Sequence, residues 1–254
     1  MWSVLYIALM TVKEEIRNKV FHLILFILVV VVSFSLYLSK LSVSNPALAF
    51  GGFSLYFVKI TAVLGVLSSM LFGLYAEREN KTYHLFVVQS HYPFLYIVGR
   101  FLGYNLLLLL TTTVSIASVY LLELTLFEVD LWSLWMYALD IGVVFFMISG
   151  VALLFYTIFS TPIISLVLCI ATFFVGHLST SFYIFTSHYT ATVSRLFSKV
   201  VYFLIPNLSL FSSELAILHD NTNGVSLSAF AYGLSYGLTM VAFASFVFCS
   251  WRDY

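Results

Sequence analysis

Six apolar runs, each about as long as a bilayer is thick, divide this chain along its whole length. A helix rises 1.5 Å per residue, so about twenty apolar residues match the hydrocarbon core of a membrane. The runs fall at about 20–39, 53–75, 94–122, 132–159, 163–187 and 226–250. A membrane β-barrel would need short strands of alternating polarity instead. Composition closes the soluble route as well. The chain is 62% hydrophobic and 9% charged, against about 25% charged in soluble domains. Its 11 basic and 11 acidic side chains cannot cover a globule of 254 residues. The expected fold class is an all-α polytopic membrane protein: one membrane domain over 1–254, with six transmembrane helices. The first run is no cleaved signal peptide, because a charged segment precedes it and no small-residue cleavage site follows.

Charge balance and cysteine use exclude further classes. Equal numbers of acids and bases give no electrostatic reason for a nucleic-acid partner. Cys169 and Cys249 lie inside apolar runs, which excludes a disulfide framework or a cysteine zinc site.

Lys and Arg positions set the expected orientation. Lys13, Arg17, Lys19, Arg78, Lys81, Arg100 and Arg252 fall on one side of a six-span topology; Lys40, Lys59, Arg195 and Lys199 fall toward the other. Both termini are therefore expected in the cytoplasm. Glu123, Glu128 and Asp130 are then expected outside, beside an aromatic belt of Trp132 and Trp135.

Ahead of the first run, Trp2, Leu5, Tyr6, Leu9, Val12 and Ile16 recur at helical spacing on one face, and Glu14, Glu15, Arg17 and Asn18 follow. This pattern predicts an N-terminal interfacial helix over 1–19, lying in the headgroup layer; an ordinary basic flank is the alternative. Between the second and third spans, Glu77-Arg78-Glu79-Asn80-Lys81-Thr82-Tyr83-His84 forms the densest internal charge cluster, followed by Leu85–Val88 and Pro93. Residues 77–92 could rest on the membrane as a short helix with a charged face toward a soluble partner, or form a solvated loop. The stretch 188–224 carries an apolar stripe interrupted by Arg195 and Lys199 and then broken at Pro206-Asn207. It predicts outer re-entrant helices, which need protein around them to bury their backbone.

Taken in order, these features resemble the permease subunits of type-2 ABC transporters. The matching residues are Lys13-Glu14-Glu15-Ile16-Arg17 before span one, Glu77-Arg78-Glu79-x-x-Thr82 after span two, Gly99-Arg100-Phe101-Leu102-Gly103 entering span three, Leu204-Ile205-Pro206-Asn207-Leu208 before the last span, and a terminal Arg252-Asp253. Asn80-Lys81 departs from the family, where a glycine usually precedes the threonine, and so does Gln89-Ser90. The resemblance implies an exporter permease in the cytoplasmic membrane, paired with a second permease copy and two cytoplasmic ABC ATPase subunits. It makes 77–92 the coupling helix, with Glu77, Arg78, Glu79, Thr82, Tyr83, His84 and Leu85 meeting the ATPase. The sequence has no G-x-x-x-x-G-K-[ST] phosphate loop. ATP and magnesium would therefore belong to the partner, and this chain is expected to bind no cofactor or metal and to be no enzyme itself.

Three side chains inside the runs could bear on transport. Lys59 and Asp140 are charges at comparable expected depth, suited to an ion pair or to a pathway. His177, near Thr172, Ser179 and Thr180, is either a packing residue or a pathway residue. The small residues Ala229, Gly233 and Gly237 at four-residue spacing predict close helix packing, inside the subunit rather than between subunits. CaaX-type membrane proteases are excluded: Phe173-x-x-x-His177 and His219-x-x-x-Asn223 occur, but Glu14-Glu15-Ile16-Arg17 has the wrong spacing for the required acidic element. A stand-alone secondary transporter or channel is the competing class, although the halves show no self-similarity of the kind such proteins carry.

Overall fold

The computed structural model describes residues 2–42, 45–80, 93–127, 134–159, 161–187, 205–211 and 227–250. Helix α1 spans Trp2–Arg17, α2 Lys19–Ser39, α3 Pro46–Glu79, α4 Pro93–Leu126, α5 Leu134–Ile158, α6 Pro162–Ser187 and α7 Leu227–Ser250; a short 3-10 turn occupies Leu208–Phe211. The described residues contain no strand. Helices α2 to α7 are each long and apolar enough to cross a membrane. The protein is an all-α polytopic membrane protein, as its apolar runs predict.

The helix ends follow local chemistry. Asn18 breaks α1 from α2 by adopting extended backbone, and its side-chain oxygen accepts from the Val20 N–H to cap α2. Asn45 caps α3 in the same way, with Pro46 opening the first turn. Pro93 likewise opens α4. Helices α3 and α4 each run to 34 residues, or about 50 Å, well beyond the roughly 30 Å hydrocarbon core. Apolarity marks only the part of each helix inside the lipid, so the caps set the true length.

Helix α5 is the most enclosed span and packs against α3, α4, α6 and α7. Its contact with α7 is the most extensive among the described helices. There, a methyl group on Gly150 would meet the Gly237 carbonyl oxygen at 3.0 Å, and one on Gly237 would meet the Phe146 carbonyl at 2.9 Å. The small-residue pattern of the last span thus packs inside the subunit, as expected from the sequence. The outward faces of α2, α6 and α7 are apolar: Phe26 and Val29, Ile163 and Val167, and Phe243 and Phe246 are all exposed for contact with lipid.

Helix α1 is amphipathic in a way the sequence half reveals. The predicted stripe of Leu5, Tyr6, Leu9 and Ile16 is exposed, available to the bilayer. A second strip, Ile7, Ala8, Thr11 and Glu15, is buried against the bundle, chiefly on α4. Of the expected re-entrant region, residues 205–211 are described. They enter the bundle, with Asn207, Leu208 and Phe211 all buried.

Candidate functional site

The end of the bundle that carries α1, here the N-terminal face, gathers a cluster of charged side chains: Glu14, Glu15, Glu77 and Arg100. Gly99 and Gly103 stand one turn apart on α4 and make the seat for α1. A methyl group at Gly99 would come within 2.7 Å of Ile7 Cγ2, and one at Gly103 within 2.6 Å of Thr11 Cβ and 2.9 Å of the Ala8 carbonyl oxygen. Between the glycines, Arg100 is 3% exposed and reaches in two directions. Its Nη1 donates to Glu14 Oε2 at 2.7 Å and to Thr11 Oγ1 at 3.0 Å on α1. Its Nη2 pairs with Glu77 Oε1 near the end of α3, and the other oxygen of Glu77 accepts from the Tyr96 hydroxyl. One guanidinium therefore ties α1, α3 and α4 together. The planar fork of arginine suits this task, because it can hold two carboxylates at once.

A second hydrogen-bond network lies directly beside the ion pairs. Glu15 on α1 is buried, accepting from Ser69 Oγ on α3 at 2.6 Å and from the Tyr104 hydroxyl on α4 at 2.9 Å. Gly73 leaves the room that the Tyr104 hydroxyl needs, since a methyl group there would sit 2.6 Å from it. Half a turn beyond, Tyr75 donates to the Phe159 carbonyl at 2.7 Å and meets Ser165 Oγ at 2.9 Å. Its ring stands edge-on to Tyr156. This joins α3 to the short connection between α5 and α6. The last three turns of α3 are thus fastened to α1, α4, α5 and α6.

The expected partner-facing residues separate in the structure. Glu77 is only 16% exposed and turned into the bundle toward Arg100. Arg78 and Glu79 are exposed, and Asn80 closes α3 as its C-cap. Thr82, Tyr83, His84 and Leu85 lie outside the described residues, as does the rest of 81–92.

The three intramembrane candidates occupy the opposite half of the bundle. Lys59 is 1% exposed. Its ammonium donates to the Phe211 carbonyl at 2.9 Å and stands 5.7 Å from the Tyr137 ring centre. Asp140, one turn along α5 from Tyr137, is also buried. Lys59 complements the carbonyl end of the 3-10 turn, where a cation is electrostatically favoured. His177 is half-buried, with Nδ1 3.0 Å from the Phe173 carbonyl of its own helix.

Near His177, Asn207 forms a hub that sequence reasoning passed over. Its side-chain oxygen accepts from Ser179 at 2.9 Å, Thr180 at 3.2 Å and Ser209 at 2.7 Å, and its backbone N–H donates to the Tyr232 hydroxyl at 3.1 Å. Gly176 allows the approach, because a methyl group there would meet the Pro206 carbonyl at 2.7 Å. Glu123 is expected just beyond the third run. It belongs to α4, one turn before the helix ends, and is fully buried within the protein. No group of three or more His, Cys, Asp or Glu suited to a metal occurs among the described residues.

The chain matches no protein-family model and no curated protein sequence. Fold and site define a class: a six-span helical membrane protein with an ion-paired N-terminal helix.

Proposed function

We propose that this chain is the membrane-spanning permease subunit of an ATP-driven transporter of the type-2 ABC kind, acting as an exporter. A second permease copy and two cytoplasmic ATPase subunits would complete the assembly, with ATP and magnesium on the ATPases. The observation that carries this reading is the fastening of α3 at the point where residues 81–92 leave it. A push on that segment by a soluble partner would act on a helix end already tied to α1 and α4 through Arg100, and to the α5–α6 connection through Tyr75. Such a load path suits a device driven from outside the membrane. A self-contained carrier would place its working charges at the bilayer midplane instead. Arg78 and Glu79 project from the same helix end and supply charged contacts for the partner.

The test is co-purification from native membranes in mild detergent. An ATPase subunit should accompany the wild-type chain in roughly equal amount. Mutating Arg78 and Glu79 together with Tyr83 and Leu85 should release it while the permease remains folded. Recovery of the folded chain without any ATPase, under conditions that keep membrane complexes intact, would overturn the reading.

A further inference from the structure

Glu123 stands apart from the other buried carboxylates. It is 0% exposed, both of its carboxyl oxygens are shut off from solvent, and neither has a hydrogen-bond partner. Its surroundings on α4 are aromatic. Tyr120, one turn earlier, packs near Trp135, while Phe127, one turn later, packs on Phe50 with ring centres 5.7 Å apart. Glu15 and Glu77, by contrast, each accept from two or more donors.

The titratable and charged groups in the same half of the helices packed on α4 are Tyr37 and Lys40 of α2, Tyr56 and Lys59 of α3, Tyr137 and Asp140 of α5, and Tyr232 and Tyr236 of α7. None of them hydrogen-bonds to Glu123. The charges of α1 lie at the other face, and Glu128 and Asp130 lie outside the described residues. A carboxylate stripped of water and of donors is far costlier than the neutral acid, which can be buried at modest expense. We infer that Glu123 is a proton-binding site, its carboxyl holding a proton while both oxygens stay shut off from water and donors.

The sign of the resulting pH dependence follows directly. The folded protein holds the proton, whereas an unfolded chain releases it above the ordinary carboxylate range. The stabilisation is complete below that range and declines as pH rises, by up to tenfold in the folding equilibrium per pH unit for one proton. It stops declining once the folded carboxyl also ionises.

The full chain in lipid nanodiscs at neutral pH should give the infrared carbonyl band of an unionised carboxylic acid. That band should be missing from Glu123→Gln, whose amide reproduces the shape of the neutral acid. Between mildly acidic and mildly alkaline pH, the denaturation midpoint of the wild type should fall relative to that of Glu123→Gln. If the glutamine variant does not fold, Glu123→Leu serves the same comparison, and 13C-labelled glutamate in the wild type assigns the band without any variant. Absence of an acid band from the wild type at neutral pH would overturn the inference, and so would parallel pH profiles for wild type and variant. ATPase co-purification plays no part in these readouts, so the two proposals stand or fall separately.

Discussion

The two ends of this bundle hold their helices together by different means. At the N-terminal face the joint is ionic: Arg100 binds Glu14 and Glu77, and Glu14 remains about half exposed. At the far end the joint is made of dipoles: Asn207 gathers the hydroxyls of Ser179, Thr180 and Ser209, and Lys59 holds the Phe211 carbonyl. The length of α3 and α4 explains the difference. Both helices outrun the hydrocarbon core, so their charged ends at the N-terminal face lie where water and headgroups reduce the cost of an ion. Residues 205–211, in contrast, lie inside the bundle, where every backbone dipole needs a protein partner. An ionic joint beside water can be remade when a partner competes for it. A dipole joint sealed in protein opens only if the whole segment moves.

Breaking the ionic joint should have the largest effect. Arg100→Met leaves Glu77 buried without its cation, and losing one partner of a buried pair costs about 3–5 kcal/mol. Adding Glu77→Gln should restore part of that loss, because the amide can still accept from Tyr96 and no stranded charge remains. Denaturation in detergent or nanodiscs measures both effects. Equal stability of Arg100→Met and wild type would remove the contrast between the two ends.

Steric seats come next. Gly103→Val would drive side-chain atoms against Thr11 and the Ala8 carbonyl, and Gly237→Val against the Phe146 carbonyl. Over-packing of this kind costs about 1–3 kcal/mol. The two should nevertheless differ in kind. Gly103→Val displaces α1 and breaks the Arg100–Glu14 contact, so cleavage by protease near residues 14–18 should accelerate. Gly237→Val separates α5 from α7 and should leave that cleavage rate unchanged. Matching cleavage rates in the two variants would show that α1 does not depend on its seat.

A smaller effect is expected at the dipole joint. Asn207→Ala removes an acceptor shared by three hydroxyls, yet Ser179 already donates to the Gly176 carbonyl, and Thr180 and Ser209 lie 2.6 Å apart and can pair with each other. With those fallbacks the loss should be about 1 kcal/mol, the usual net worth of a single hydrogen bond. A loss equal to that of Arg100→Met would mean that the far end is the stronger joint.

These comparisons also show what the sequence could carry. The six spans were legible because apolarity over twenty residues is a local property, and α3 came out short because its caps, Asn45 and Asn80, rather than apolarity bound it. The internal packing of Gly233 and Gly237 followed from spacing alone. Arg100 was visible only as a positive charge inside a Gly-Arg-x-x-Gly pattern. Its partners lie 86 and 23 residues away in sequence, on different helices, and no periodicity encodes such a meeting. Lys59 was legible as a charge inside an apolar run, whereas its contact with the Phe211 carbonyl depends on how far residues 205–211 enter the bundle. Glu123 was placed just past the third apolar run, and α4 continues beyond it to Leu126 and leaves it buried.

The smallest effect on stability, and the most informative for function, is expected at Arg78 and Glu79. Both are exposed where α3 ends, and exposed single charges contribute little to folding. Arg78→Ala with Glu79→Ala should therefore leave the denaturation midpoint at its wild-type value. Glu77→Ala, one residue earlier, should lower it, since Glu77 is a member of the Arg100 joint and not of the exposed edge. This one-residue boundary sharpens the comparison between a joint and a docking surface. If the double variant keeps its stability and loses its ATPase, the exposed edge of α3 serves the partner alone. If instead the double variant unfolds as readily as Glu77→Ala, the whole end of α3 is structural, and any docking must reside entirely in residues 81–92.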